Sequence, residues 1–175
     1  MTFTLTDLVD RAEIDDALHA YAQAQDQNAW HLFDGVFAPD AVIELRGLPI
    51  PPLGPAELRG FLQQYNRTRV SGQHLITNTL ITVDGDTARS VSEVLHLTLQ
   101  TTDQEGTLHR SHGGSLYADD WTRGADGWRI RHRVVTQKHL DERDIEVPAD
   151  LLATISAGSC VDWFTADLHT IGASA

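Results

Sequence analysis

Cysteine and lysine each occur once in this 175-residue chain, as Cys160 and Lys138. One cysteine excludes an internal disulfide and any cysteine cluster for structural zinc or an iron–sulfur centre. One lysine leaves Schiff-base chemistry a single candidate. Basic residues are few altogether, 13 against 25 acidic ones, for a net charge of −12. That balance argues against nucleic acid or an anionic membrane surface as a partner, since both need a basic surplus. No apolar run approaches the roughly 18 residues that a membrane span needs. Residues Met1 to Asp10 show no basic stretch followed by an apolar run, so no secretory signal is read and the cytoplasm is the expected compartment. The chain also lacks a glycine-rich nucleotide loop, a nucleophile elbow and a helical His-Glu-x-x-His. No cofactor and no metal are expected. Histidine, by contrast, is plentiful: nine copies are the one compositional sign of proton chemistry.

The length suits one domain, with a core over about residues 7–140 and a helical cap over about 148–170. Leu8, Ile14, Leu18 and Tyr21 repeat at helical spacing, which predicts a helix over Asp7 to Ala24 with Thr6 as its N-cap. A short helix is expected from Asn28 to Phe37, burying Trp30, Phe33 and Phe37. Ala41 to Leu45 reads as a strand and Leu48 to Gly54 as a loop. Pro55 opens a third helix, to about Arg69. Period-two runs follow at His74–Val83, Thr87–Gln100, Thr107–Trp121 and Trp128–Lys138. Their short connections are rich in Asp and Gly, which is hairpin chemistry and predicts antiparallel neighbours. After Pro148 helical spacing returns through Leu151, Leu152, Ile155, Val161, Trp163, Phe164 and Leu168, with Gly158 a point of division. The expected class is α+β: a curved sheet wrapped around N-terminal helices, with a C-terminal helix near the mouth of a cone that holds an apolar ligand.

Strand parity sorts the polar residues. Strict alternation puts His74, Ile76, Asn78 and Leu80 on one face, which makes Asn78 a second polar contact beside His74. His109 and His112 lie three apart on one strand and point to opposite faces, so they cannot share a metal ion without a bulge. One of them enters the cavity, and His112 is favoured. Gly113-Gly114 marks a bulge or bend. On the last strand Arg129, Arg131, Arg133, Gln137 and His139 share a face, and one inward arginine suits an oxyanion or carboxylate. Tyr65 can reach the cavity from the third helix or serve the core.

Three segments in order carry a resemblance: Tyr21-Ala-Gln-Ala-Gln-Asp26 with Trp30 and Phe37-Ala-Pro-Asp40; Gly72-Gln-His74-Leu-Ile-Thr-Asn78 with Asp84-Gly-Asp86; and Gly127-Trp128-Arg-Ile-Arg-His-Arg133. Across about residues 8–138 the chain resembles the SnoaL-like proteins of the NTF2-like superfamily. The resemblance implies that superfamily's cone. Within it, the dehydratase branch, which includes scytalone dehydratase and the bile-acid 7α-dehydratase, faces an Asp after the first helix against a His that opens the long sheet. Those positions fall on Asp26 and His74. Tyr21 falls where the bile-acid enzyme has a catalytic tyrosine, and Arg133 resembles its late-sheet arginine. The two tyrosines that hold water in scytalone dehydratase fall on Gln25 and Leu45, which cannot act as phenol acids.

The resemblance therefore implies a cofactor-free acid–base enzyme: a dehydratase, isomerase or cyclase of a small apolar oxygenated substrate, such as a polyketide or terpenoid intermediate. His74 would move the proton and Asp26 would orient it, with Tyr21 and His112 polarising oxygen. Asn78, Arg133, Tyr65, Trp30 and His109 would contact substrate. Asp26 as a mere helix cap and His74 as an edge-strand residue is the plainer reading. Two other functions stay open: a non-catalytic subunit of the ring-hydroxylating dioxygenase β type or a ligand carrier, and an epoxide hydrolase of the limonene type, for which no second inward Asp could be placed. A homodimer is expected, because the outer face of such a sheet needs cover.

Overall fold

The computed structural model describes residues 3–157. Cys160 and the apolar positions Val161, Trp163, Phe164 and Leu168 of the expected cap lie outside them. Helix α1 spans Leu5–Asp26. It starts at Thr4 rather than Thr6 because Thr4 has an acid three residues on. The Asp7 amide donates to Thr4 Oγ1 at 3.1 Å, and the Thr4 amide donates to Asp7 Oδ2 at 2.7 Å. This reciprocal box satisfies two N-terminal amides, which Thr6 with Val9 could not do. Helix α2 is one turn, Trp30–Phe33, and strand β1 takes over at Phe37–Arg46. Helix α3 runs Pro55–Tyr65, and a 3-10 turn at Asn66–Thr68 leads into β2, Arg69–Asp84. Strands β3 (Thr87–Thr101), β4 (Thr107–Gly124) and β5 (Gly127–Glu146) follow, then α4, Ala149–Ala157. No helix among the described residues is long and apolar enough to cross a membrane.

The five strands form one mixed sheet in the order β1-β5-β4-β3-β2. The three expected hairpins are present, and β1 joins the far edge parallel to β5. Gly85 takes a left-handed φ of 59° in the β2–β3 turn, a conformation that a side chain resists. Helix α1 covers the sheet with Ile14, Leu18 and Tyr21, which pack with Phe33, Phe37, Val94, Trp121, Trp128 and Ile130. The α+β class and its helices-on-sheet arrangement match the reading from sequence.

The pairing register shifts at five places, Phe37/Val42, Arg69/Ser71, Thr77/Leu80, Gly114/Ser115 and Asp120/Trp121, and the last three overturn strict alternation in the long strands. Thr77 pairs with Glu93 but Leu80 with Val91, so β2 carries one extra residue near Asn78, whose φ is 51°. An asparagine tolerates that conformation where a β-branched residue would not. The bulge turns Thr79 and Ile81 to the helix-covered face and leaves Asn78 and Leu80 exposed. On β5, Trp121 pairs with Ile130 and Asp120 with His132, so Arg131 is the extra residue and Ile130 and Arg133 both point inward. Lys138 is a third insertion, opposite Gly114 and Ser115.

At the closed end of the layer lies an ion pair. Arg133 donates from Nε to Asp119 Oδ1 at 2.7 Å and from Nη2 to Oδ2 at 2.8 Å, and neither side chain reaches solvent. The guanidinium stacks on Tyr21 and Tyr117, with its carbon 4.5 and 4.4 Å from the ring centroids. Burial opposes the charge of Arg133, but Asp119 outweighs it and the pKa rises. Asp119→Ala would strand that cation. The expected loss is about 3–5 kcal/mol, read as a lowered urea midpoint, whereas the exposed Asp103→Ala should leave the midpoint near wild type.

Candidate active site

The last turn of α1 ends against the start of β2. Two bonds to one carbonyl fix it there: Asn66 Nδ2 and Arg69 Nη1 each donate to the Gln25 carbonyl at 2.9 Å, while Gln27 closes the helix on its own Gln23. This places Asp26 beside His74. The His74 backbone amide donates to Asp26 Oδ2 at 2.6 Å, and ring Nδ1 lies 2.5 Å from Oδ1. A carboxylate bound to both main chain and ring fixes the imidazole as the Nδ1–H tautomer, with the Nε2 lone pair outward. Asp26 keeps 6% of its side-chain surface and His74 11%, so the pair is sheltered but reachable.

A second imidazole lies against the first. His96 on β3 pairs in register with His74, and their rings stack at 5.7 Å and 30°. Ser111 Oγ approaches His96 Nε2 at 3.5 Å. Burial lowers the His96 pKa to about 4, and any positive charge carried by His74, His112 or Arg69 adds to the effect. Near neutral pH His96 is therefore uncharged and offers one donor and one acceptor. Gly113 makes its position available: a Cβ there would sit 2.7 Å from His96 Cε1 and 2.8 Å from the His139 carbonyl.

The residues expected from sequence fall in different places. Asp26 and His74 meet. Tyr21 is buried below them against Phe33, Phe37, Tyr117 and Arg133, and burial raises its pKa. Arg133 is held by Asp119, the second inward aspartate that the sequence did not place. His112 is exposed on the opposite face from His74, edge-on to His139 at 6.3 Å. His109 takes the inward parity but lies at the sheet's open end, its Nδ1 2.9 Å from Asp144 Oδ1. Asn78 is turned out by its bulge. Trp30 is half-buried against Phe33, and Tyr65 is 41% exposed, with Arg69 beneath its ring. Among the described residues no group of three or more His, Cys, Asp or Glu is placed to hold a metal. A concavity of about 900 Å³ opens elsewhere, on the outer face between Thr82, Arg89, Asp120 and His132. Of its ionic groups, Arg89 pairs with Asp120 across the concavity, and His132 reaches Glu44 outside it.

Residues 6–134 match the family described as the SnoaL-like domain. An uncharacterized protein of Mycobacterium tuberculosis is 33% identical over 134 residues, which covers 77% of this chain and 89% of that one. A solved structure from Kribbella flavida superposes with a TM-score of 0.69 at 22% identity, over 84% of this chain and 98% of its own. The hexachlorocyclohexane dehydrochlorinase LinA-type3 of Novosphingobium barchaimii gives 0.67 at 19% identity, over 79% and 93%. At these identities the two structures speak for fold alone.

His96 should stay neutral in a histidine NMR titration until the pH nears about 4. The unfolded chain protonates this ring near the ordinary 6.5, so between 6.5 and about 4 it binds more protons than the folded chain. The stability tied to His96 is thus present above 6.5 and lost as pH falls through that window. Gly113→Ala, which drives a methyl into the ring's place, should move the His96 titration upward toward 6.5.

Proposed function

The chain belongs to the family of SnoaL-like domains, and on that premise we propose that it is a cofactor-independent acid–base enzyme, a lyase or an isomerase or cyclase, acting through Asp26 and His74. The observation that supports this reading is the double engagement of Asp26, which binds the amide and the ring of His74 together. A histidine so oriented removes a proton from a carbon acid at Nε2 and returns it, as the imidazolium, to a departing or ring-closing oxygen. Asp26 is the positioning residue: it sets the tautomer and offsets the imidazolium charge when it forms. The stacked, neutral His96 adds a polar contact without placing a second positive charge beside the first.

Elimination, isomerisation and ring closure share this first step. The solved neighbour from Novosphingobium barchaimii is a dehydrochlorinase, an eliminating enzyme of the same fold, which is in keeping with a lyase. The substrate class we favour is a small, largely apolar compound that carries an acidic C–H next to an oxygen function. Ile76 and Val94 supply apolar surface in the rows next to His74 and His96, where Ser115 and Gln137 are hydrogen-bonded to each other at 3.3 Å.

Asp26→Asn and His74→Gln should each lower kcat by about 10²–10⁴-fold on a substrate found by screening β-hydroxy ketones for loss of water and enones for double-bond migration. Circular dichroism and thermal melting should show both variants folded. Full turnover by either folded variant would sink the proposal.

A further inference from the structure

Of seven buried side-chain polar atoms that meet no hydrogen-bond partner among the described residues, two belong to the start of β2 and its partner on β3: Nε of Arg69 and Oγ1 of Thr98. The two residues are neighbours. Gly72 pairs with Thr98 across β2 and β3, and Arg69 folds over Gly72, where a Cβ would lie 3.0 Å from Nη1 and 3.1 Å from Cδ. Gly72 and His74, two apart on the strand, share a face. Arg69 and Thr98 therefore form the next row along from His74 and His96, on the side away from Arg133. Both are enclosed, with 3% of the Arg69 side chain and 2% of Thr98 exposed.

The protein meets this cation with the Tyr65 ring, 5.8 Å from its carbon, and with hydrogen bonding through Nη1, and leaves Nε without a partner. Nη1 donates to the Gln25 carbonyl at 2.9 Å and stands 4.0 Å from Asp26 Oδ1, whose hydrogen bonds go to His74. Burial lowers the Arg69 pKa, so an anion arriving at the guanidinium would be stabilised by it. A buried hydroxyl and a buried N–H without partners are each unfavourable. Nη1 caps the Gln25 carbonyl, but that bond leaves Nε unused, and Thr98 could be Val unless its hydroxyl answers to a ligand.

Resting on the acid–base reading above, we propose that Arg69 and Thr98 bind the carbonyl oxygen of a neutral carbonyl substrate and hold it as an enolate while His74 takes the α-proton. The C–H bonding pair becomes the C=C bond, the C=O π pair moves onto oxygen, and the proton resides on His74 Nε2. Collapse of the enolate re-forms the carbonyl and expels a β-hydroxide, which leaves as water with the proton from His74; return of the proton at another carbon gives isomerisation instead. Same-face neighbours on a strand lie about 6.5–7 Å apart. One C–C=O unit spans that gap, with proton transfer at its carbon end and hydrogen bonds at its oxygen. Charge selects the substrate class. Asp26, Arg69 and a neutral His74 sum to zero with a neutral substrate bound. After proton transfer the imidazolium balances the enolate, and the sum is again zero. A permanent carboxylate would leave this enclosed site one negative charge in excess throughout.

The test is binding of 4-nitrophenol, whose phenolate imitates a planar enolate and reports by its visible absorbance. 4-Nitroanisole serves as the uncharged ring and benzoate as the permanent carboxylate. The full chain should bind the phenolate at least tenfold more tightly than either control. Thr98→Val, which removes only a partnerless hydroxyl, should weaken the phenolate about three- to tenfold while the melting temperature holds or rises. Arg69→Gln should weaken it at least tenfold, and Arg69→Lys should recover part of the loss. Equal binding of phenolate and nitroanisole overturns the proposal, as does unchanged phenolate affinity in folded Thr98→Val. Tighter binding of benzoate overturns the neutral-carbonyl assignment. Asp26→Asn separates the two readings. An inactive Asp26→Asn in a chain without phenolate preference removes this inference alone; an active one that prefers phenolate removes the acid–base reading.

Discussion

The seam between the C-terminus of α1 and the first residues of β2 governs the rest of the site. A helix end leaves carbonyls without intrahelical partners, and here the Gln25 carbonyl receives Asn66 and Arg69 from the segment that starts the sheet. Asp26, one residue on, then binds the main chain and the ring of His74. The bonds that end the helix are thus the bonds that orient the imidazole. Because the carboxylate is tied to backbone as well as to side chain, the ring cannot reorient without displacing the helix. About a turn and a half back along α1, Tyr21 lies against Arg133 and Tyr117 of the sheet and holds the same end of the helix down.

Much of this was legible in the chain. Period-two runs broken by Asp-Gly turns specified four antiparallel strands, and the motif around Asp26 and His74 identified the pair that meets. Helix limits shifted where local chemistry overrode periodicity, as at Thr4 with Asp7. Strand β5 ran eight residues past its expected end at Lys138, through a stretch rich in charge. There β4 holds it by pairing, with Arg110 against Asp141 and His109 against Asp144, rather than by apolar alternation.

What escaped the reading traces to single inserted residues. Counted back from the Asp84–Thr87 turn pair, strict register sets Leu97 opposite His74; the bulge near Asn78 brings His96 there instead. That one residue hides the second imidazole and expels Asn78 from the site. Arg131 does the same on β5, where it lets Ile130 and Arg133 share the core face. Bulges have weak sequence signals, since the residue that pays for them is identified only by its backbone conformation. The glycines gave a better clue: Gly72 and Gly113 each stand where a larger side chain, Arg69 or His96, crosses over the strand.

The separation of the paired residues has a kinetic meaning. Asp119 and Arg133 lie 14 residues apart across one hairpin, whereas Asp26 and His74 are 48 apart and belong to different layers. Closing the longer loop costs more entropy, and the parallel pairing of β1 with β5 spans a longer stretch still. The meander can therefore gain its internal ion pair from local contacts, while Asp26 and His74 meet only once the helix has docked on the finished sheet. A partly folded chain of this topology can set Arg133 against Asp119, but the burial of that pair beneath Tyr21 and the meeting of Asp26 with His74 both await the helix.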